Sequence, residues 1–367
     1  MEYPTVDEIT GCIEAFAPLH LQESYDNSGL QVGSRTMAVC SVLLTVDVTR
    51  EVIEEAIAKK ASMVISHHPL IFTGLKRIVG NSEIEDIVRL AIKHDIAIYA
   101  SHTNLDSAPG GVSHKMAEKL GLINLSVLDP VSANLCKLVV FVPIAFVEKV
   151  RLAMFEAGAG TVGNYDSCSY GSRGEGTFRA GENANPFVGE VGQRHVEPEI
   201  RLEMICPIAI SKVVIAAMLA AHPYEEVAYD VYALDNIDLK TGLGMVGDLP
   251  DAMPTLNFLR LVKKIFGAES LRYTNPVKSN IKKVALCGGS GFSLLPKAIT
   301  ARADVFITAD VKYHNFFDAK NKLLLVDIGH FESEQFSLEI ISSLLKKNFV
   351  NFAVYITEKN SNPINYL

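Results

Sequence analysis

The stretch VISHHPLIF, residues 64–72, sets two adjacent imidazoles and a proline immediately beyond a short apolar run. Apolar and β-branched residues ending at a polar pair describe a buried strand reaching its exit. Pro69 stops the strand and biases His68 toward an extended conformation, so both rings sit on constrained backbone. Working outward, strand-like runs alternate with helical ones: SVLLTVDV, REVIEEAIAKK, SMVIS, IEDIVRLAIKH and IAIYASHT follow one another from Ser41. That rhythm predicts an α/β layer architecture in which the histidine pair stands at a strand end.

Near residue 130 the rhythm changes. KLVVFVPIAFVEKVRLAMFEAG (137–158) and RLEMICPIAISKVVIAAMLAAH (201–222) superpose with Pro143 on Pro207, Val150 on Val214 and Met154 on Met218. Each reads as a strand, a proline-started helix and room for another strand. Two such units make a ferredoxin-like split βαβ domain. YGSRGEGTFRAGENANPFVGE between them is expected to form long hairpin loops. After DNIDLKTG the α/β pattern returns with KKVALCGGSG, DVFITAD and KLLLVDIGH. The economical organisation is one α/β domain, 1–129 and 237–367, interrupted by an α+β insert, 130–236.

Three segments leave apolar runs and open on metal-competent side chains: His67 with His68, then His102 and Asp106 in ASHTNLDSAPGG, then His330 and Glu334 in DIGHFESE. A helix beginning after Gly329 puts His330 and Glu334, four apart, on one face. Imidazole and carboxylate without thiolate suit zinc, manganese or iron, and more than four ligands from separate segments suggest two ions. Two ions about 3.5 to 4 Å apart lower the pKa of a shared water and orient it for attack. His102 is either a ligand or a partner that orients one.

Other motifs carry less. GLGMVG (242–247) matches G-x-G-x-x-G, but the segment before it is polar and prolines follow where a phosphate-binding helix would start, so a dinucleotide fold is excluded. LCGGSGFSLLPKA is better placed, either as an anion-holding loop or as a tight left-handed turn. SYDNSGLQVG, with Asp26 and Asn27, reads as a tight turn, the alternative being a stretch that lines a site. AHPYEEVAYDVY (221–232) offers a small-ligand or ion site, or simply a charged loop.

A net charge of -8 without a basic cluster argues against nucleic acid as a partner. The 6 cysteines lack C-x-x-C spacing, which fits a reducing cytoplasm. No secretory leader pattern opens the chain, and the longest apolar run, VVIAAMLAA (213–221), is too short to span a bilayer.

Taken together, SYDNSGLQVG, SHHPLIF, HTNLDSAPGG, HPYEEVAYDVY, CGGSG, TADVKYH and DIGHFESE resemble the NIF-three-like dinuclear-metal family, also known as GTP cyclohydrolase I type 2, over nearly the whole chain and in the family's order. The middle segment resembles the PII-like or CutA-like insert of its longer bacterial members. The resemblance implies two divalent ions (Zn, Mn or Fe) per subunit, held by His67, His68, Asp106, His330 and Glu334. It also implies a toroidal homohexamer with the metal pairs facing an internal cavity and the inserts capping its openings. The implied activity is hydrolytic opening of the guanine imidazole ring of GTP, with release of formate, toward dihydroneopterin triphosphate. The alternative is a non-catalytic metal-binding regulatory or scaffold protein with a ligand-sensing insert. Tyr25 stands where the family usually has Trp, Ser113 and His114 replace its Asn-Asp, and Met245 replaces a frequent Arg.

Overall fold

The apolar runs around the histidine pair form short, wholly buried strands, Ser41–Thr45, Met63–Ser66 and Ala97–Ala100. They are parallel to one another, and Ala353–Ile356 from the far end of the chain joins them in parallel beside Ser41–Thr45. Gly29–Val32 closes the other edge, antiparallel to Ala97–Ala100. A second, six-stranded sheet has a parallel centre of Asn280–Leu286, Val305–Thr308 and Leu324–Asp327. Its flanks are Arg272–Tyr273 on one side, and on the other Ile237–Pro254 and then Ile123–Ser132. The structure is a computed structural model that describes residues 3–132 and 134–367.

The alternation of side chains along each strand decides the layers. Val42, Leu44, Met63, Ile65, Ala97 and Tyr99 share one core with Val284, Leu286, Val305, Ile307, Leu324 and Val326 of the second sheet. That shared core is filled by the apolar stripes of four helices: Val6–Phe16, Val112–Lys119, Thr255–Ile265 and Ser337–Asn348. The opposite faces bury Leu43, Val64 and Ile98 under the helices Arg50–Ala58 and Glu83–Lys93, and Ala285, Phe306 and Leu325 under Leu295–Thr300. Parallel strands covered on both faces are apolar throughout, which is why these runs look continuous rather than alternating in the sequence. Thr5 caps the first helix, its side chain accepting from the Glu8 amide while the Glu8 carboxylate accepts from the Thr5 amide.

The chain divides into two compact units, Met1–Pro130 with Lys240–Leu367, and Val131–Leu239. The second unit holds a four-stranded antiparallel sheet ordered Tyr170–Arg179, Arg194–Pro207, Leu135–Pro143, Tyr229–Leu234. The helices Val147–Glu156 and Ser211–Ala221 cover one face. In chain order this is β-α-β-β-α-β with the spatial order of a ferredoxin-like fold, so the molecule is an α/β structure interrupted by a ferredoxin-like α+β insert. Val150, Met154, Val214 and Met218 are buried in equivalent places. Two details differ from expectation. Pro143 and Pro207 end their strands and lead into single 3-10 turns, so each helix begins three residues after the turn starts. The glycine-rich Tyr170–Arg179 is a strand rather than a loop, because Arg194–Pro207 supplies a ladder along its whole length. Pairing there overrides the low strand propensity of glycine at a sheet edge.

Candidate metal centre

In α/β sheets, functional groups gather beyond the carboxyl ends of parallel strands. Here His67 and His68 follow Met63–Ser66, Asp106 lies in the short helix Thr103–Ser107 after Ala97–Ala100, and His330 opens the helix His330–Glu334 after Leu324–Asp327. Gly329, at φ +94, makes the turn that starts that last helix, a conformation that L side chains rarely adopt. The five expected ligands thus lie at the exits of strands from both sheets.

Each imidazole is oriented through Nδ1. His67 Nδ1 donates to the Ser101 carbonyl at 2.9 Å. His68 Nδ1 lies 2.7 Å from Asp47 Oδ1, and His330 Nδ1 lies 2.7 Å from Asp310 Oδ2. An acceptor at Nδ1 keeps a proton there, so Nε2 is the atom a metal ion would take once any proton on it is displaced, the usual arrangement behind a metal-bound histidine. All three Nε2 atoms point at Glu334 Oε2, at 3.7 Å from His67, 2.8 Å from His68 and 2.9 Å from His330. His68 and His330 bring their Nε2 atoms within 3.2 Å of each other.

Among the five expected ligands, two buried atoms have no hydrogen-bond partner, His67 Nε2 and Asp106 Oδ1, and they face each other at 3.8 Å. That separation is too long for a hydrogen bond and suits two donors that share an ion. A buried lone pair opposite a buried carboxylate oxygen is costly unless a cation lies between them. His67, His68 and Glu334 offer ligand atoms that all lie within 4.8 Å of one another, a group able to hold a metal ion. Nitrogen and oxygen donors without thiolate match borderline divalent metals.

The electrostatics agree with a site built for cations. Burial opposes charging of His68, yet Asp47 and Glu334 at its two nitrogens raise it to about 9. His330 is raised to about 11 against the same penalty by Asp310 and Glu334. Burial pushes Asp106 up, with His67 opposing and Glu334 adding to the rise. Burial alone would raise Glu334 as well, but His67 beside it and hydrogen bonds from His330 and His68 hold it well below the usual carboxylate range. The nearby thiol of Cys287 is pushed up to about 12, chiefly by burial, so in the metal-free protein it is a protonated, unreactive thiol.

His102 stands beside these rings, edge-on to His67 at 5.4 Å and to His68 at 5.2 Å between centroids. Its Nδ1 meets Asp26 Oδ1 at 2.8 Å, and Asp26 also accepts from the Thr103 amide and hydroxyl and from Ser28. The turn SYDNSGLQVG therefore lines the site through Asp26. The CGGSG loop also reaches the site: a Cβ on Gly289, at φ +59, would lie against the Glu334 carboxylate. Its glycines allow a close approach of backbone to Glu334. Asp47, Asp310 and the Ser101 carbonyl were not singled out from sequence. Their signal was positional, because each lies just past the end of a strand that neighbours a histidine-bearing one.

GLGMVG falls within the strand Ile237–Pro254, antiparallel to Asn280–Leu286, and is no dinucleotide loop. His222 spends both ring nitrogens inside the insert, Nε2 donating to the Phe141 carbonyl at 3.0 Å and Nδ1 accepting from the Tyr224 amide at 3.1 Å. It is therefore no ligand. Among the described residues, no helix is long and apolar enough to cross a membrane.

Comparison with known proteins places this chain in a family. The sequence pattern of Duf34/NIF3 (NGG1p interacting factor 3) matches residues 4–363. A Bacillus subtilis protein named GTP cyclohydrolase 1 type 2 homolog is 39% identical over 368 residues, covering 98% of each chain. The crystal structure of a Bacillus cereus protein related to NIF3 superposes with a TM-score of 0.86 at 39% identity, covering 100% of both chains. A Staphylococcus aureus crystal structure is similar with a TM-score of 0.79 at 28% identity, again covering 100% of both. The chain belongs to the Duf34/NIF3 (NGG1p interacting factor 3) family.

Proposed function

We propose that this protein is a dinuclear metal-dependent hydrolase that opens the guanine ring of GTP, as the names of its relatives suggest. The observation that carries the metal part is the facing pair of partnerless buried atoms, His67 Nε2 and Asp106 Oδ1, beside the Glu334 carboxylate. His67, His68, Asp106, His330 and Glu334 would hold two divalent ions (Zn, Mn or Fe), with Glu334 central to all three imidazoles. When bound, the ions supply Lewis acidity and make a water acidic enough to lose a proton near neutral pH.

The chain's own groups supply the rest. Asp26 fixes the proton of His102 on Nδ1, which leaves Nε2 free to accept a proton and return it to a leaving nitrogen. Phe72 lies 6.5 Å from the His102 ring and Tyr25 lies 6.4 Å from Phe72, and both are exposed. These flat apolar surfaces suit stacking on a purine. The homohexameric assembly implied by the resemblance belongs to this same proposal.

A second reading, a metal-binding scaffold without catalysis, is favoured by the origin of the ligands at strand exits of two different sheets, which an ion would tie together. One experiment separates the two. Purified full-length protein is loaded with zinc, manganese or iron, and GTP conversion is followed by pterin fluorescence beside Asp106→Ala and His330→Ala. Metal-dependent turnover that both variants lose supports the hydrolase. No turnover, with a melting temperature that falls on chelation, supports the scaffold.

A further inference from the structure

The insert carries a cleft of about 630 Å3 that the metal chemistry does not use. It lies on the face of the four-stranded sheet opposite its two helices. The register pairs Gly174 with Glu199 and Ser172 with Arg201, and these residues alternate with Ile200 and Leu202, which pack under the helices. The floor is open because the edge strand has glycine there. A Cβ on Gly174 would meet nothing within 4 Å, while one on Gly176 would strike the Glu199 carboxylate.

The walls are aromatic. Phe178 lies 6.1 Å and Phe187 lies 6.3 Å from the Tyr224 ring, and all three line the cleft. Glu199 sits among them with only 7% of its surface exposed. It accepts one hydrogen bond, from the Tyr224 hydroxyl at 3.1 Å, and has no ion-pair partner among the described residues. The basic side chain closest in register, Arg201, pairs instead with Glu203 at 3.1 Å. Arg173 and Arg179 border the cleft but are out of phase with Gly174 and Gly176, so they leave the strand from its other face. Burial pushes Glu199 up, the Tyr224 hydroxyl offsets part of that, and Glu197 adds to it. A buried carboxylate without a counter-ion is unfavourable, and the partner this one lacks is a cation with N–H donors.

We propose that this cleft binds an organic cation, an amidino, guanidino or amino group on an apolar body. Glu199 accepts its N–H donors, and Phe178, Phe187 and Tyr224 enclose it. Aromatic faces attract such cations and a carboxylate gives charge-assisted hydrogen bonds, while the cleft volume is that of a small-molecule site. The site is independent of the metal centre and stands whether or not GTP is a substrate.

The test is calorimetric titration of the full-length, metal-replete protein with benzamidinium and, separately, with its neutral isostere benzamide. Benzamidinium should bind about tenfold or more tightly than benzamide, the gain expected of a charge-assisted pair. Glu199→Gln should reduce benzamidinium to the level of benzamide. Gly174→Leu, whose side chain enters open space, should remove both, and it decides the matter if Glu199→Gln folds poorly. Equal affinity for the two compounds overturns the proposal, as does benzamidinium binding that survives in the folded variants. So does absence of benzamidinium binding up to about 10 mM, where even a fragment gaining a few kcal/mol is detected.

Discussion

Asp47 and Asp310 touch no other proposed ligand than the Nδ1 of one histidine each, so replacing them tests whether the imidazoles are aimed from behind. Asp47→Asn and Asp310→Asn keep shape and an acceptor oxygen but lose the charge that fixes the proton on Nδ1. Loss of such an outer partner weakens metal binding by about 10–100-fold. Both carboxylates are more than a third exposed, 37% for Asp47 and 48% for Asp310, so solvent screens them and the lower end applies. Each variant should therefore weaken zinc binding about tenfold, or roughly 1.4 kcal/mol. Because His68 and His330 meet at the same Glu334 oxygen, the double variant should lose less than the product of the two. Chelator-stripped protein titrated with zinc against a fluorescent competing chelator gives the affinities, and circular dichroism melts confirm folding. Folded variants that bind zinc within about twofold of the parent would refute the orienting role and leave the acids as incidental neighbours.

The proposed ligands themselves make a sharper distinction, because Asp106→Ala and His330→Ala should each reduce bound zinc from the proposed two ions per chain to one or fewer, as read by elemental analysis of untagged protein. In metal-free protein His68 and His330 have raised folded values, so their contribution to stability is complete below the ordinary histidine value of about 6.5. For His68 that contribution disappears as pH rises through about 9. The melting temperature in EDTA should therefore fall between those limits, whereas the increment produced by zinc should grow with pH, since binding displaces those protons. A rising EDTA melt over the same window contradicts the assignment. Gly289→Ala combines a left-handed φ, worth about 1–2 kcal/mol, with a methyl against Glu334, so both stability and metal content should drop. Gly111→Ala presses on the Leu105 carbonyl, next to Asp106, and should lower metal content even where the protein still folds.

Much of the first unit was legible because its strands are short, apolar and punctuated by polar exits. His67, His68, Asp106, His330 and Glu334 all sit at such exits, and the spacing of His330 and Glu334 is one helical turn. Local sequence does not say that the two sheets share one helix-filled core, because which face of Val6–Phe16 or Ser337–Asn348 meets which strand depends on partners hundreds of residues away. The strand Tyr170–Arg179 was hidden for a related reason. Its glycines carry no apolar alternation, and only the long partner Arg194–Pro207 makes it a strand. The same glycines that disguised it leave the floor of the insert's cleft open.

Asp47, Asp310 and Ser101 were invisible one segment at a time, yet sheet register makes two of them almost obligatory. Thr45 pairs with Ser66, so two residues further on Asp47 comes level with His68. Ser66 pairs with Ala100, so one residue further on His67 comes level with Ser101, whose carbonyl takes its Nδ1 proton. Neighbouring parallel strands lie about 4.8 Å apart, a gap that a ring and a short acid, or a ring and a carbonyl, can close. In the second sheet Thr308 pairs with Asp327, which sets Asp310 level with Gly329, and the turn at Gly329 delivers His330 one residue later. Each imidazole is thus aimed by the strand next to its own. A one-residue slip in either sheet would turn the aiming group to the opposite face, so the fit of the centre to a cation depends on pairing as much as on the five side chains that meet there.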